Sequence, residues 1–287
     1  MQRIEQIYIN GQFVTPHGQQ WFDLHNPSTE QVIGKVRLGD EEDVQLAVAA
    51  AKAAFPAWSR TTRQERIAVL RRMLDAVQAR EDALMEAIVT EYGAPAVRSR
   101  WMATYPAQAI AQAIVALESF AFEEQAGTAQ VIMTPVGVAA LITPWNSDAG
   151  FICGKLATAL AAGCTAVIKP SEMSGLQTQI ITEALHAADL PAGVFNIVNG
   201  TGAVVGEALT AHPDVAKISF TGSSAVGQHL VSAGAATMKR VTLELGGKSP
   251  TVVLDDADFA AVMPLILQGG FMNSGQACVA GTRILVP

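Results

Sequence analysis

From Gly137 to Gly234 the sequence alternates between two rhythms. Short runs of apolar, β-branched residues (VGVAALIT, TAVIK, VFNIV and VAKISF) are each followed by a stretch with helical apolar spacing. Those stretches run through GKLATALAAG, from about Gly175 to Ala188, through GAVVGEALTA and through SAVGQHLVSAG. Continuous apolar runs of this length suit strands buried on both faces of a parallel sheet, and the helix after each supplies the crossover that parallel strands need. Four successive strand–helix units predict right-handed crossovers and an α/β fold with a doubly wound, Rossmann-like parallel sheet. By analogy alone, that architecture binds dinucleotides.

The flanking segments read differently. Residues 1 to about 39 are punctuated by Gly, Asn and Pro and read as short strands and turns, a leading segment and not a separate domain. At Asp40, which reads as an N-cap, the pattern turns helical through EEDVQLAVAAAKAAF. TRQERIAVLRRMLDAVQA, REDALMEAIVTEYG and a long stretch from about Val97 to Phe122 continue this helical N-terminal region. FEEQAGTAQVIMTPVG interrupts it with Gly127 and Pro135 among β-favouring residues, which predicts a projecting hairpin at about 120–136, suited to meeting a partner chain. Beyond RVTLELGGKSP, a strand TVVLD and a helix around Phe259 to Phe271 start a pattern outside the alternation. A boundary is therefore expected near Leu245, with a dinucleotide-binding domain over 1–245 and the start of a second α/β catalytic domain over 246–287.

Composition narrows the function classes. The 287 residues are 50% hydrophobic, enough for a sizeable core, and 26 acidic against 19 basic residues leave a formal charge of −7. That balance argues against a nucleic-acid surface, which needs clustered lysine and arginine. No run approaches the roughly 20 apolar residues of a membrane span, and MQRIEQIYINGQF lacks a signal-peptide core, so a soluble cytoplasmic protein is expected. Three cysteines, Cys153, Cys164 and Cys278, give neither a disulfide framework nor metal-ligand spacing, and no metal is predicted.

Ligands of open parallel sheets gather beyond the carboxyl ends of the strands, so the residues there are the candidates. Gly222 and Gly227 around Ser223 form a strand-to-helix turn that either binds a pyrophosphate or is an ordinary N-cap. Lys169 and Glu172 either hold ribose hydroxyls or form a solvated pair. Asn146 is either an oxyanion donor or a turn asparagine. Glu244, between two leucines, is either a buried carboxylate of raised pKa suited to proton transfer or the polar half of a half-exposed strand. Cys278 follows a polar, glycine-broken turn that would leave its sulfur accessible near backbone amides, a setting that favours thiolate; the alternative is burial as a small hydrophobe. Cys153 and Cys164 lie in apolar stretches and read as packing residues. None of the five histidines has local support as a catalytic partner for a cysteine.

Taken together and in order, ITPWN, IKPSE, FTGSSAVG, LELGGKSP and FMNSGQAC resemble the NAD(P)-dependent aldehyde dehydrogenase family over nearly the whole chain. The resemblance implies that Cys278 is the nucleophile that adds to an aldehyde, that Asn146 with the Cys278 amide stabilises the thiohemiacetal oxyanion, and that Glu244 activates the water that hydrolyses the thioester. It assigns Ile142, Thr143, Pro144, Trp145, Lys169, Glu172, Gly202, Gly206, Phe220 and Ser223 to the cofactor cleft. Glu172, placed for the adenosine ribose, favours NAD over NADP, whose phosphate it would repel. Where the family often has a proline near Asp148 this chain has none, so the cleft mouth is expected to differ.

The family also implies further chain beyond residue 287, a second glutamate for the nicotinamide ribose, and assembly as a homo-dimer or tetramer. The chain is accordingly expected to be an N-terminal portion of a longer enzyme, poorly active by itself, with Ile284 to Val286 lacking sheet neighbours. Two rival readings remain. One is a coenzyme A-acylating dehydrogenase, whose relatives generally lack a glutamate at the position of Glu244; the other is a non-catalytic NAD-binding or oligomerisation module.

Overall fold

The computed structural model of the chain describes residues 2–287. The leading segment holds five short strands, β1 (Gln2–Ile4), β2 (Ile7–Ile9), β3 (Gln12–Val14), β4 (Trp21–His25) and β5 (Val32–Arg37). Helices α1 (Glu41–Trp58), α2 (Arg63–Gln78), α3 (Glu81–Ala87) and α4 (Ala96–Ser119) follow, with a π-helical turn at Ile88–Tyr92 between the last two. The Asp40 carboxylate caps α1 by accepting from the Glu42 and Asp43 amides, and Asp43 accepts from the Asp40 amide in return.

Next come the hairpin strands β6 (Glu123–Ala126) and β7 (Ala129–Ile132), exposed along their whole length. The alternating region then comprises β8 (Val138–Ile142), α5 (Asp148–Ala161), β9 (Thr165–Lys169), α6 (Gly175–Ala187), β10 (Phe195–Ile197), α7 (Glu207–Ala211), β11 (Val215–Gly222) and α8 (Ser224–Gly234). Strand β12 (Arg240–Leu245) precedes β13 (Pro250–Val252), α9 (Phe259–Phe271) and β14 (Arg283–Leu285).

The main sheet has the order β12-β11-β8-β9-β10-β2-β3, and its first five strands are parallel. Strand pleating divides its side chains between two cores. Ala139, Leu141, Ala166 and Ile168 pack with α2, α4, α5 and α6, while Val138, Ala140, Ile142 and Val167 pack with α1, α7 and α8. Each wholly buried leucine or isoleucine contributes about 2 kcal/mol, which explains why β8 and β9 read as unbroken apolar runs.

Two features of the pairing lie beyond local pattern. Strands β2 and β3 extend the main sheet, because β2 lies antiparallel to β10 with Ile197 opposite Tyr8. The expectation that Ile284 to Val286 lack sheet neighbours is corrected for Ile284 and Leu285: β14 pairs in parallel with β13, Thr251 opposite Ile284 and Val252 opposite Leu285. The crossover through α9 returns the chain alongside β13.

The order also fixes where a ligand crevice opens. From β8 the chain adds β9 and β10 on one side and β11 and β12 on the other, so its connections diverge between β8 and β11. Open α/β sheets bind ligands beyond the carboxyl ends of strands at such a switch point. Among the described residues no helix is long and apolar enough to cross a membrane, and no three or more His, Cys, Asp or Glu side chains are grouped so as to hold a metal ion.

Candidate active site

The loop after β8 carries Pro144, Trp145 and Asn146 to the switch point, and buried groups hold it there. The Thr143 amide donates to the Lys169 carbonyl at 3.1 Å. The Thr143 hydroxyl donates to Asp148 Oδ1 at 2.5 Å, and the Thr178 hydroxyl on α6 donates to Asp148 Oδ2 at 2.9 Å. Asp148 is fully buried, and burial pushes its pKa up to about 7 against the pull of the two hydroxyls and Lys169. The absent proline near Asp148 thus coincides with a carboxylate that ties β8 to α6.

A second loop arrives from α9. Asn273, Ser274 and Gly275 are consecutive left-handed residues with φ of 56°, 56° and 75°. Such a conformation costs roughly 1–3 kcal/mol for a non-glycine residue and persists where surrounding contacts hold it. The turn delivers Gln276, Ala277 and Cys278 to the mouth of the crevice. Asn146 Nδ2 donates to the Gln276 carbonyl at 2.9 Å, joining the two loops, and the Cys278 thiol is exposed. Cys153 and Cys164 are buried.

Glu244 completes the group from β12. The reading of it as a buried carboxylate is corrected: Arg240, Thr242 and Glu244 are exposed while Val241, Leu243 and Leu245 point inward. That outward face, with Arg240, Thr242 and Glu244, lines a cavity. Glu244 lies in register with Thr221 of β11.

Two cavities meet at these residues. A crevice of about 390 Å³ at the switch point is lined by Trp145, Asn146, Gly222, Ser223 and the glycines after Leu245. A cavity of about 770 Å³ lies between α5 and the sheet, walled by Tyr105, Phe151, Gly154 and Leu141 among others. Thr221, Glu244 and Cys278 border both. An accessible thiol and a carboxylate thus stand on the partition between a nucleotide-type crevice and a second chamber.

The sequence profile of the aldehyde dehydrogenase family matches residues 13–287. The chain belongs to this family. A 3-succinoylsemialdehyde-pyridine dehydrogenase of a Pseudomonas species is 43% identical over 289 residues, which cover 100% of this chain and 61% of that protein. Among solved structures, a cysteine-to-alanine mutant of aldehyde dehydrogenase C from Pseudomonas syringae, with NAD+ and octanal, superposes with a TM-score of 0.96 at 43% identity. It covers 99% of this chain and 59% of that one. An aldehyde dehydrogenase from Bartonella henselae gives a TM-score of 0.96 at 37% identity, covering 100% of this chain and 61% of that one. The chain therefore spans about three fifths of the length of these relatives.

Within the chain the remaining candidates separate into lining and packing residues. Lys169 is buried, which replaces the reading of a solvated pair. Its ammonium donates to the Gly200 carbonyl at 2.8 Å and the Pro170 carbonyl at 2.5 Å, with Glu172 at 3.4 Å. Burial lowers its pKa, opposed by Glu172 and Asp148. Gly202 has open space where a Cβ would stand, and Gly206 faces the Lys169 stem at 3.8 Å.

Ile142 and Phe220 are buried in the core beneath the crevice. Ser223 caps α8 by accepting from the Val226 amide, and a Cβ on Gly222 would collide with the Phe220 ring. Gly227 does not line the crevice, contrary to its place among the cofactor candidates. It is buried where a Cβ would come within 2.9 Å of Leu245, so its role here is close packing of α8 on β12.

Lys155 is the residue that motif reading missed. It lines the larger cavity with Glu244 and Cys278 and donates to Ser219 Oγ at 2.8 Å. Burial pushes its pKa down to about 8, with Lys217 adding to the fall and Glu244 opposing it. A lone lysine in the otherwise uncharged helical run GKLATALA was the signal available in the sequence.

Proposed function

We propose that this chain carries the nucleotide-binding region and the reactive thiol of an enzyme that oxidises aldehydes to carboxylic acids with NAD+. The observation that carries the reading is the position of Cys278 and Glu244 on the partition between the two cavities, with Asn146 tied to the thiol's loop. NAD+ fits the switch-point crevice on three grounds. The first turn of α8 presents backbone amides there, Gly202 leaves space, and the buried Thr221 hydroxyl lacks a protein partner. Lys169 and Glu172 would hold the adenosine ribose, and Glu172 would disfavour the extra phosphate of NADP.

In this reading the Cys278 sulfur adds to the aldehyde carbon, and the carbonyl pair becomes an oxyanion that accepts from Asn146 Nδ2 and the Cys278 amide. NAD+, when bound, supplies the acceptor for the hydride that leaves this carbon as the oxyanion collapses to a thioester. Glu244 then takes a proton from water, whose oxygen attacks the thioester, and the thiolate departs with release of the acid. The larger cavity, walled mainly by apolar groups, holds the substrate tail, in line with the octanal bound by the Pseudomonas syringae relative.

Two results are expected from the chain's own residues. Glu244→Gln should leave the first turnover intact and slow the following ones by about 10²-fold, seen as a burst of NADH equal to the enzyme concentration. Unchanged steady turnover would remove Glu244 from the water-activating role. Lys155, which lines the same cavity as Glu244 and Cys278, would exchange protons with solvent during hydrolysis. Lys155→Met should therefore remove the limb near pH 8 from the pH profile of steady turnover while sparing the burst. A limb that persists in the variant excludes Lys155.

We assign a nucleotide-binding domain to residues 1–245, the start of a catalytic domain to 246–287, and assembly into a dimer or tetramer to the exposed hairpin of β6 and β7. A cytoplasmic setting suits the exposed Cys278, because a reducing compartment keeps the thiol free.

A further inference from the structure

The side chain of Asn146 has two faces, and only one helps an oxyanion: its NH2 donates, whereas its carbonyl would repel the charge. The Gln276 carbonyl at 2.9 Å can only accept, so it holds the NH2 end of Asn146 towards the Cys278 loop. That carbonyl also accepts from Asn273 Nδ2 at 3.3 Å, and Asn273 Nδ2 donates in addition to the Tyr92 hydroxyl oxygen. Both N–H groups of Asn273 are thereby used, while its Oδ1 is buried without a partner. Its orientation is therefore set by its two acceptors.

Tyr92 is well anchored for this task. It ends the π-helical turn Ile88–Tyr92, a distortion common at functional sites, and Gly93 follows in the left-handed region with φ 73°. Its neighbour Glu91 is buried and accepts from the Leu176 amide at 2.7 Å and the Gln177 amide at 3.2 Å at the start of α6. The Tyr92 ring lies 5.6 Å from that of Trp145. Burial pushes the phenol up to about 12, so it stays protonated at neutral pH.

We infer that Tyr92 is a positioning residue for acyl transfer: through Asn273 and the Gln276 carbonyl it fixes the amide face that Asn146 presents to the Cys278 adduct. The inference rests on the proposed roles of Asn146 and Cys278, and it adds a residue far from both in sequence. Loss of the Tyr92 hydroxyl frees Asn273 to rotate, and the Gln276 carbonyl loses its second anchor.

Two cofactor-free reactions of the 287-residue chain separate this role from a structural one. With p-nitrophenyl acetate, the Cys278 sulfur bonds to the ester carbon and the carbonyl pair moves onto oxygen. The pair then returns as the bond to p-nitrophenolate breaks, leaving an acetyl thioester with no change in oxidation state. With iodoacetamide the sulfur displaces iodide and no oxyanion forms. Tyr92→Phe is expected to slow p-nitrophenolate release about tenfold while alkylation stays within about twofold, and Asn146→Ala should slow release about 10²-fold. Equal acylation by Tyr92→Phe and the unaltered chain, or equal slowing of both reactions, overturns the positioning role. If the unaltered chain is alkylated at Cys278 but shows no acylation, the proposed Asn146 and Cys278 roles fall with it. Loss of release in Asn146→Ala but not in Tyr92→Phe rejects the Tyr92 role alone.

Discussion

Replacing Cys278 by serine is expected to lower NAD-dependent aldehyde oxidation by at least about 10⁴-fold while leaving NAD+ binding within about twofold. A serine hydroxyl stays protonated near neutral pH, and no histidine borders position 278 to take its proton. The side chains bordering both cavities there are Thr221 and Glu244, with no histidine among the lining residues. Without a sulfur adduct the aldehyde carbon carries no oxyanion to expel a hydride, so the first step fails, unlike in Glu244→Gln. Turnover is followed by NADH absorbance, and binding by quenching of Trp145, which lines the crevice. Comparable turnover in Cys278→Ser would refute the nucleophile assignment; simultaneous loss of NAD+ binding would point to collapse of the crevice.

The largest effect on stability is expected at Asp148. Asp148→Ala leaves the Thr143 and Thr178 hydroxyls without their buried acceptor and opens a small void, at a cost of about 3 kcal/mol, or a fall in Tm of roughly 6–12 °C. Because Asn146 sits two residues away on the same loop, aldehyde turnover should fall as well. The pH dependence has a definite sign. The folded-state pKa of about 7 lies above the ordinary 3.8. Between about pH 4 and 7 the folded chain therefore keeps a proton that the unfolded chain has released. This contribution is complete below pH 4 and is lost as the pH rises through 7. Glu91, which burial pushes up to about 8, acts in the same direction. Thermal melts should show Tm falling from pH 5 to pH 8, with a shallower fall in Asp148→Asn. A Tm that rises over this window would contradict the buried, protonated carboxyl.

The elements most legible in the sequence are those set by neighbours along the chain. Helix α9 spans Phe259–Phe271 as its spacing predicts, and α1 begins after its Asp40 cap, because propensity and capping act within one or two helical turns. Glu244 was not legible in the same way. Whether VTLELGG is covered on both faces or open on one depends on what packs against it, and here Arg240, Thr242 and Glu244 line the larger cavity. Gly227 misled for a related reason: glycine near a strand-to-helix turn serves close packing as readily as phosphate approach, and Leu245 decides which.

The sequence by itself determined the succession of strands and helices, the apolar runs that must be buried, and the family motifs bearing a thiol, an amide and a carboxylate. Apolar spacing and turn chemistry are short-range, so one chain displays them without its fold. Only the tertiary structure decided that Asn146 is tied to the Gln276 carbonyl, that Asp148 and Lys169 are buried, and that Thr221, Glu244 and Cys278 share one partition. Those meetings follow from strand order and loop closure between segments far apart along the chain, and no local pattern encodes which distant partner a side chain will find.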